Sequence, residues 1–231
     1  PTLEALSEAY RQLTHAGQDV LSIHLSSKLS GTFNAALMAS TADGVPAEAV
    51  EVLDSRTLSM AQGWIAIRAA EYARMGRSLA EVTEYAETIL SRTHLYGVVD
   101  SLEHIMRSGR VGRIPGTVGN LLSIKPILTV RPNGEAIIHE RVRTRNKALE
   151  RIVELTTELG DLDGLAVLHG ADKEGAARLT KMLVEAGLPE PASVSHIGAV
   201  LGTHLGPCAV GLCCLTKGGP KQNNTEAQSI T

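Results

Sequence analysis

Seven residues, Ser26-Ser27-Lys28-Leu29-Ser30-Gly31-Thr32, concentrate the polar chemistry of the N-terminal half. They join residues 19–25 (DVLSIHL), which read as a buried strand, to residues 31–42, which read as a helix. In open α/β sheets, ligands bind beyond the carboxyl ends of the strands. A helix N-terminus adds free N–H groups and the positive end of a dipole. Hydroxyl side chains donate to an anion, and a glycine lets it approach closely. One serine at such a place would be an ordinary N-cap. Three serines, a glycine and a threonine in seven residues predict an anion site. Nucleophilic catalysis by Ser30 is the rival chemistry. The nucleophile elbow G-x-S-x-G needs a glycine where this chain has Lys28. The histidine nearest in sequence, His24, falls inside the strand, where a core role is the plainer reading.

Two further stretches carry charge chemistry. Residues 198–211 (GAVLGTHLGPCAVG) read as a glycine-rich turn before a strand. His204 in that turn can donate a hydrogen bond to a carboxylate and compensate its charge, or it is simply a surface histidine. Residues 107–115 (RSGRVGRIP) interleave Arg107, Arg110 and Arg113 with glycines. Arginines so spaced predict a loop that offers guanidinium groups to an anion, or else a solvated loop.

The elements that must hold these residues follow from periodicity. Leu3, Leu6, Tyr10 and Leu13 recur at helical spacing, and Gly17 ends that helix. Strands are predicted over 19–25, 50–53 and 94–99, with helices over 31–42, 58–75 and 78–93. Ser78 and Glu81 have capping-box spacing. Such alternation predicts a parallel sheet covered by helices. Beyond it, residues 124–130 and 135–140 flank Arg131-Pro132-Asn133-Gly134, a hairpin signal. Helices over 145–159 and 173–186 and strands over 165–169, 192–197 and 208–215 complete a mixed sheet. The prediction is therefore an α/β protein of two α/β domains with a ligand between them. Residues 1–100 form the first, residues 101–216 the second, and residues 217–231 a polar, disordered tail. Pro1 in place of Met, and a first helix with no strand before it, predict that the first domain is truncated at its start.

Composition narrows the function. The chain has 231 residues, is 43% apolar and carries a net charge of −3. No apolar run is long enough for stable membrane insertion, and no leader pattern opens the chain; a cytoplasmic protein is expected. One Phe, one Trp and four Tyr are too few for a base-stacking platform, which argues against nucleic acid. Cys208, Cys213 and Cys214 have neither disulfide nor zinc spacing, so buried, reduced thiols and no metal are expected. The negative net charge hides a basic segment. From Arg107 to Arg151 there are ten Lys or Arg and three acids, a solvated face or a docking surface for an acidic partner.

Taken together, several stretches resemble the DegV family of bacterial proteins. They are Pro1-Thr2-Leu3-Glu4, SIHLSSKLSGTFNAA (22–36), VLDS (52–55), SLEHIMRSGRVGR (101–113), LLSIKPIL (121–128) and GTHLGP (202–207). Each is weak alone; as a set they are specific and span the chain to about Leu215. The resemblance implies a fatty acid held between two α/β domains, no cofactor and no catalysis. It implies that Ser30, in the L-S-G-T motif, binds the carboxylate, with Ser27, Gly31 and Thr32 beside it. His204 and Gly206 match the family's H-x-G-P turn. A second hydroxyl comes in that family from the threonine of a T-S-Q-P motif, whose proline matches Pro1. The resemblance also implies a partner, an ATP-dependent fatty acid kinase that phosphorylates the bound carboxylate. Arg107, Arg110, Arg141 and Arg143 are the candidates for docking it, and palmitate is a representative ligand. Other classes remain open on the residues alone. One is an acyl or phosphoryl transferase or hydrolase using Ser30, and another is a signalling module that binds phosphate at residues 26–32.

Overall fold

The computed structural model describes residues 1–100, 102–111 and 124–218. Ser101, Arg113, Leu121 to Ser123 and the expected tail from residue 219 lie outside the described residues. The fold is α/β, with a small parallel sheet and a larger mixed one. The small sheet pairs β1 (Val20–His24) in parallel with β2 (Val50–Asp54), placing His24 beside Asp54. Strand alternation gives it two faces. Tyr10 of α1 (Leu3–His15) and Ala39 of α2 (Thr32–Ser40) pack with Val20, Val50 and Val52 on one. Leu21, Ile23 and Leu53 face α3 (Ser59–Ala73) and α4 (Leu79–Leu90) on the other. The Ser78–Glu81 capping box opens α4 as the spacing predicts.

Helices α3 and α4 form a layer shared by both sheets. Trp64 and Ile65 pack in one cluster with Leu53 of β2 and with Ala166, Cys213 and Leu215 of the second sheet. That sheet has the order β5-β4-β3-β8-β6-β7. Its strands are β3 (Thr93–Val98), β4 (Lys125–Val130), β5 (Ala136–Val142), β6 (Leu162–His169), β7 (Ser193–His196) and β8 (Val210–Thr216). Helices α6 (Arg145–Glu158) and α7 (Lys173–Glu185) cover its opposite face, with Leu149, Ile152, Leu179 and Leu183 fully buried.

Four sequence expectations are corrected here. The strand expected to close the parallel series, β3, leaves it and runs antiparallel to both β4 and β8. Two helices separate β2 from β3 instead of one, so the chain crosses the α3–α4 layer and emerges in the other sheet. The glycine-rich turn holding His204 is a helix, α8 (Ala199–Leu205). Gly198 and Gly206 cap its two ends, Gly206 at φ +82°, so these glycines delimit a helix that they seemed to exclude. Arg107 is not in a loop: α5 (Glu103–Ser108) contains it, ends at Gly109 with φ +64°, and pairs it with Glu103 at 2.7 Å. Of the cysteines, Cys213 and Cys214 are buried as expected, but Cys208 is exposed; all three are free.

His94 of β3 faces the buried side, and its Nε2 has no hydrogen-bond partner among the described residues. Burial lowers its pKa from the ordinary 6.5. The unfolded chain then takes up a proton that the folded one resists. Stability is full above about pH 6.5 and is lost as pH falls from there towards the lower folded value. Urea unfolding at pH 7.5 and pH 5.5 should show this loss, and His94→Leu should reduce it. Burial lowers the His24 pKa as well, so part of the slope should persist in that variant.

Candidate functional site

The site begins with topology. Helices α2 and α3 start just after the ends of β1 and β2, so their N-termini lie at the carboxyl edge of the parallel pair. Helix α1 leads into β1 through a short turn and runs back along it. Thirteen residues of helix, about 20 Å, match the length of a five-residue strand, so its N-terminus reaches the same edge. Three helix N-termini converge there, each with unpaired N–H groups and a positive dipole end.

The serine loop occupies this edge. Ser30 Oγ and Thr32 Oγ1 are 2.8 Å apart, and the Thr32 N–H donates to Ser30 Oγ at 3.3 Å. Two hydroxyls share one internal bond, so one hydroxyl hydrogen remains for an external acceptor. Gly31, exposed, is the formal N-cap of α2 and has no side chain to crowd a ligand. Ser27 is half-buried, and its N–H lies 3.3 Å from both carboxylate oxygens of Asp54. Asp54 also accepts from the Arg56 N–H at 2.8 Å, so one carboxylate fixes both the β1–α2 and the β2–α3 loops. Arg56 (φ +50°) in the second of these loops and Ser59 (φ +58°) at the first position of α3 hold left-handed backbones without being glycine. Such strain, of order 1–3 kcal/mol each, gathers at functional sites.

Sequence reasoning singled out Ser26 within this loop but missed the contact by which it ties the loop to the rest of the protein. Ser26 is fully buried and donates from Oγ to the Gly134 carbonyl at 2.7 Å, and its N–H donates to Thr57 O at 2.8 Å. The partners lie 108 residues apart, so no local pattern announced them. Gly134, at φ +88°, is the hairpin glycine between β4 and β5. It sits so close that a Cβ on it would overlap Ser26 Oγ and lie 3.5 Å from Arg56 Cα. Another missed group lies on β1 itself. Tyr10 Oη donates to Ser22 Oγ at 2.6 Å, and Ser22 Oγ is 2.8 Å from His24 Nε2. His24 is thus partly exposed and hydrogen-bonded, not the packed core histidine that the sequence suggested.

The remaining expected site residues lie elsewhere. His204 is half-buried in the last turn of α8, and Gly206 is buried just beyond it. Helix α8 packs on α5, and a Cβ on Gly206 would meet the His104 ring at 2.8 Å. Among the described residues, no hydrogen bond joins His204 or Gly206 to the serine loop. The arginines are strung along an edge strand. Val111, next to Arg110, bridges to Ala136 at the start of β5, while Arg141 and Arg143 lie at its end. Five residues of strand, about 17 Å, separate the two groups. Arg110, Arg141 and Arg143 are exposed and form no ion pair among the described residues. No group of three metal-binding side chains occurs among the described residues. None of their helices is long and apolar enough to cross a membrane.

Residues 1–217 match a family described as "Uncharacterised protein, DegV family". The chain is 38% identical over 220 residues to protein DegV of Bacillus subtilis, covering 92% of this chain and 76% of that one. It is 39% identical over 214 residues to a DegV domain-containing protein of Mycobacterium tuberculosis, covering 90% and 75%. Among solved structures, a fatty acid binding DegV family protein of Streptococcus agalactiae superposes with a TM-score of 0.85 at 28% identity. That match covers 94% of this chain and 77% of the other. The structure of Bacillus subtilis DegV, described as a fatty acid binding protein, superposes with a TM-score of 0.81 at 36% identity, over 94% and 77%.

Proposed function

Because the chain belongs to the DegV family, we propose that it binds one long-chain fatty acid by the carboxylate at the serine loop. The observation that carries this reading is the Ser30–Thr32 hydroxyl pair at the convergence of three helix N-termini. Relatives of the same fold that are described as fatty acid binding support the ligand class. The Ser30 hydroxyl has Thr32 as its partner; among the described residues no imidazole or carboxylate hydrogen-bonds to it. That favours a binding role over a nucleophilic one. His204 and Gly206, which match the family's H-x-G-P turn, complete the proposed site from α8.

The energetics suit a carrier. Burying about 14 methylenes at ~0.8 kcal/mol each gives roughly 11 kcal/mol gross. Association costs several kcal/mol of this, so sub-micromolar affinity needs no strong polar contact. The carboxylate end chiefly sets orientation, since burying it unpaired would be costly. A ligand held this way is presented, and the proposed recipient is an ATP-dependent fatty acid kinase in the cytoplasm. Three free cysteines fit that compartment.

Arg107, Arg110, Arg141 and Arg143 would face the acidic surface of that kinase. Charge complementarity mostly sets on-rate and register, and salt screens it. Arg141→Glu or Arg143→Glu should slow phosphorylation of the bound acid, leave palmitate affinity unchanged, and lose the effect as salt rises. Arg107→Glu should do less, because Glu103 already occupies its guanidinium. Unchanged kinase coupling in Glu variants of all four arginines would reduce the basic segment to a solvated face. Saturable, one-to-one palmitate binding by the purified chain tests the ligand reading.

A further inference from the structure

The Tyr10–Ser22–His24 chain has no evident packing purpose. Ser22 and His24 lie on the face of β1 that also carries Val20, and Tyr10 reaches that face from α1, in a cluster otherwise built from Ala39, Val50 and Val52. Tyr10 is 3% exposed, so its hydroxyl needs a protein partner, and it donates to Ser22 Oγ. Ser22 has a single hydrogen. With Tyr10 donating to its oxygen, that hydrogen is used only if it goes to His24 Nε2. An accepting Nε2 places the imidazole proton on Nδ1. Burial lowers the His24 pKa and favours the neutral ring. Among the described residues Nδ1–H has no hydrogen-bond partner, and the residue is partly exposed. His24 is the last residue of β1 and pairs in register with Asp54, whose carboxylate fixes the serine loop. A donor with a preset proton and no protein acceptor among the described residues therefore stands at the carboxyl edge of the parallel pair.

We propose that His24 is a further binding residue of the serine-loop site, donating Nδ1–H from a neutral imidazole to the fatty acid carboxylate. Tyr10 and Ser22 are positioning residues that fix its tautomer. The inference rests on the fatty acid reading above. It adds a neutral donor where a carboxylate with several acceptor sites exceeds what one hydroxyl hydrogen can satisfy.

The test uses the chain labelled with 15N-histidine and palmitate as the probe. In the free protein, the His24 signals, assigned by their loss in His24→Gln, should show the Nδ1-protonated tautomer. The Nδ1 resonance should move saturably as palmitate is added. His24→Phe should bind palmitate about tenfold more weakly, the loss of one hydrogen-bond donor. His24→Gln, which keeps an N–H donor, should stay within about threefold of the wild type. Ser22→Ala should mix the tautomers and weaken binding, and Ser22→Thr should restore both. An Nε2-protonated His24, an Nδ1 signal that ignores saturating palmitate, or wild-type affinity in His24→Phe overturns the inference while fatty acid binding stands. If the unsubstituted chain binds no palmitate, the fatty acid reading fails and the inference falls with it. Should His24→Phe not fold, the spectra of the unsubstituted chain decide.

Discussion

Ser30→Ala should weaken fatty acid binding by about 1–3 kcal/mol, the cost of leaving a buried polar partner unpaired. That is about 5- to 150-fold in Kd. The structure argues for the lower half of this range. Ser30 and Thr32 share one hydrogen bond, so with Ser30 gone Thr32 is released to donate in its place. Thr32→Val alone should likewise be mild, and the double variant should lose more than the sum of the two, because each hydroxyl can stand in for the other. The fold should survive. The Ser30 hydroxyl accepts one weak bond from Thr32 N–H at 3.3 Å, and losing such a cap costs about 1 kcal/mol. Isothermal titration with palmitate gives the affinities and thermal unfolding gives the control. Wild-type affinity in the double variant would remove the serine loop from the site.

Gly134→Ala should be strongly destabilising. Two costs combine there. The backbone at φ +88° disfavours any side chain, and the new Cβ would overlap Ser26 Oγ. A loss of about 2–3 kcal/mol is expected, which lowers Tm by about 5–10 °C for a chain of this size. Gly109 is the internal control. It too has a positive φ, +64°, but among the described residues nothing lies within 4 Å of a Cβ placed on it. Gly109→Ala should cost only about 1 kcal/mol, the backbone share. The difference between the two isolates the contact between hairpin and serine loop. Fatty acid affinity should fall in Gly134→Ala and hold in Gly109→Ala, because only the first displaces Ser26. Equal losses in both would mean that the contact contributes nothing.

Local features of this protein were legible in its sequence, and long-range ones were not. The Ser78–Glu81 capping box, the 131–134 hairpin and the serine loop before a helix are signals within a few residues, and each is found where the sequence put it. Which sheet a strand joins is not local. Residues 93–98 read as one more buried strand, and only the α3–α4 layer, buried on both sides, decides that β3 pairs with β8. The same holds for the site. Hydroxyl spacing identified residues 26–32, but the Ser26–Gly134 bond and the Asp54 clamp join segments that sequence cannot align. Helix α8 was missed because Gly198, Gly202 and Gly206 weigh against helix by propensity, while two of them serve as its caps. The strand around His24 is apolar and so suggests a core residue; its partner Ser22 is held in turn by Tyr10, on the preceding helix twelve residues before Ser22.

Mass spectrometry of the organic extract of the purified chain tests the central claim most directly. The account predicts a long-chain fatty acid such as palmitate or oleate at about one per chain, exchanged when labelled palmitate is added, and depleted in the Ser30→Ala, Thr32→Val double variant. An extract free of long-chain acids, from a folded chain that also takes up no labelled palmitate at about 10 μM, a Kd worth only about −7 kcal/mol, would contradict it.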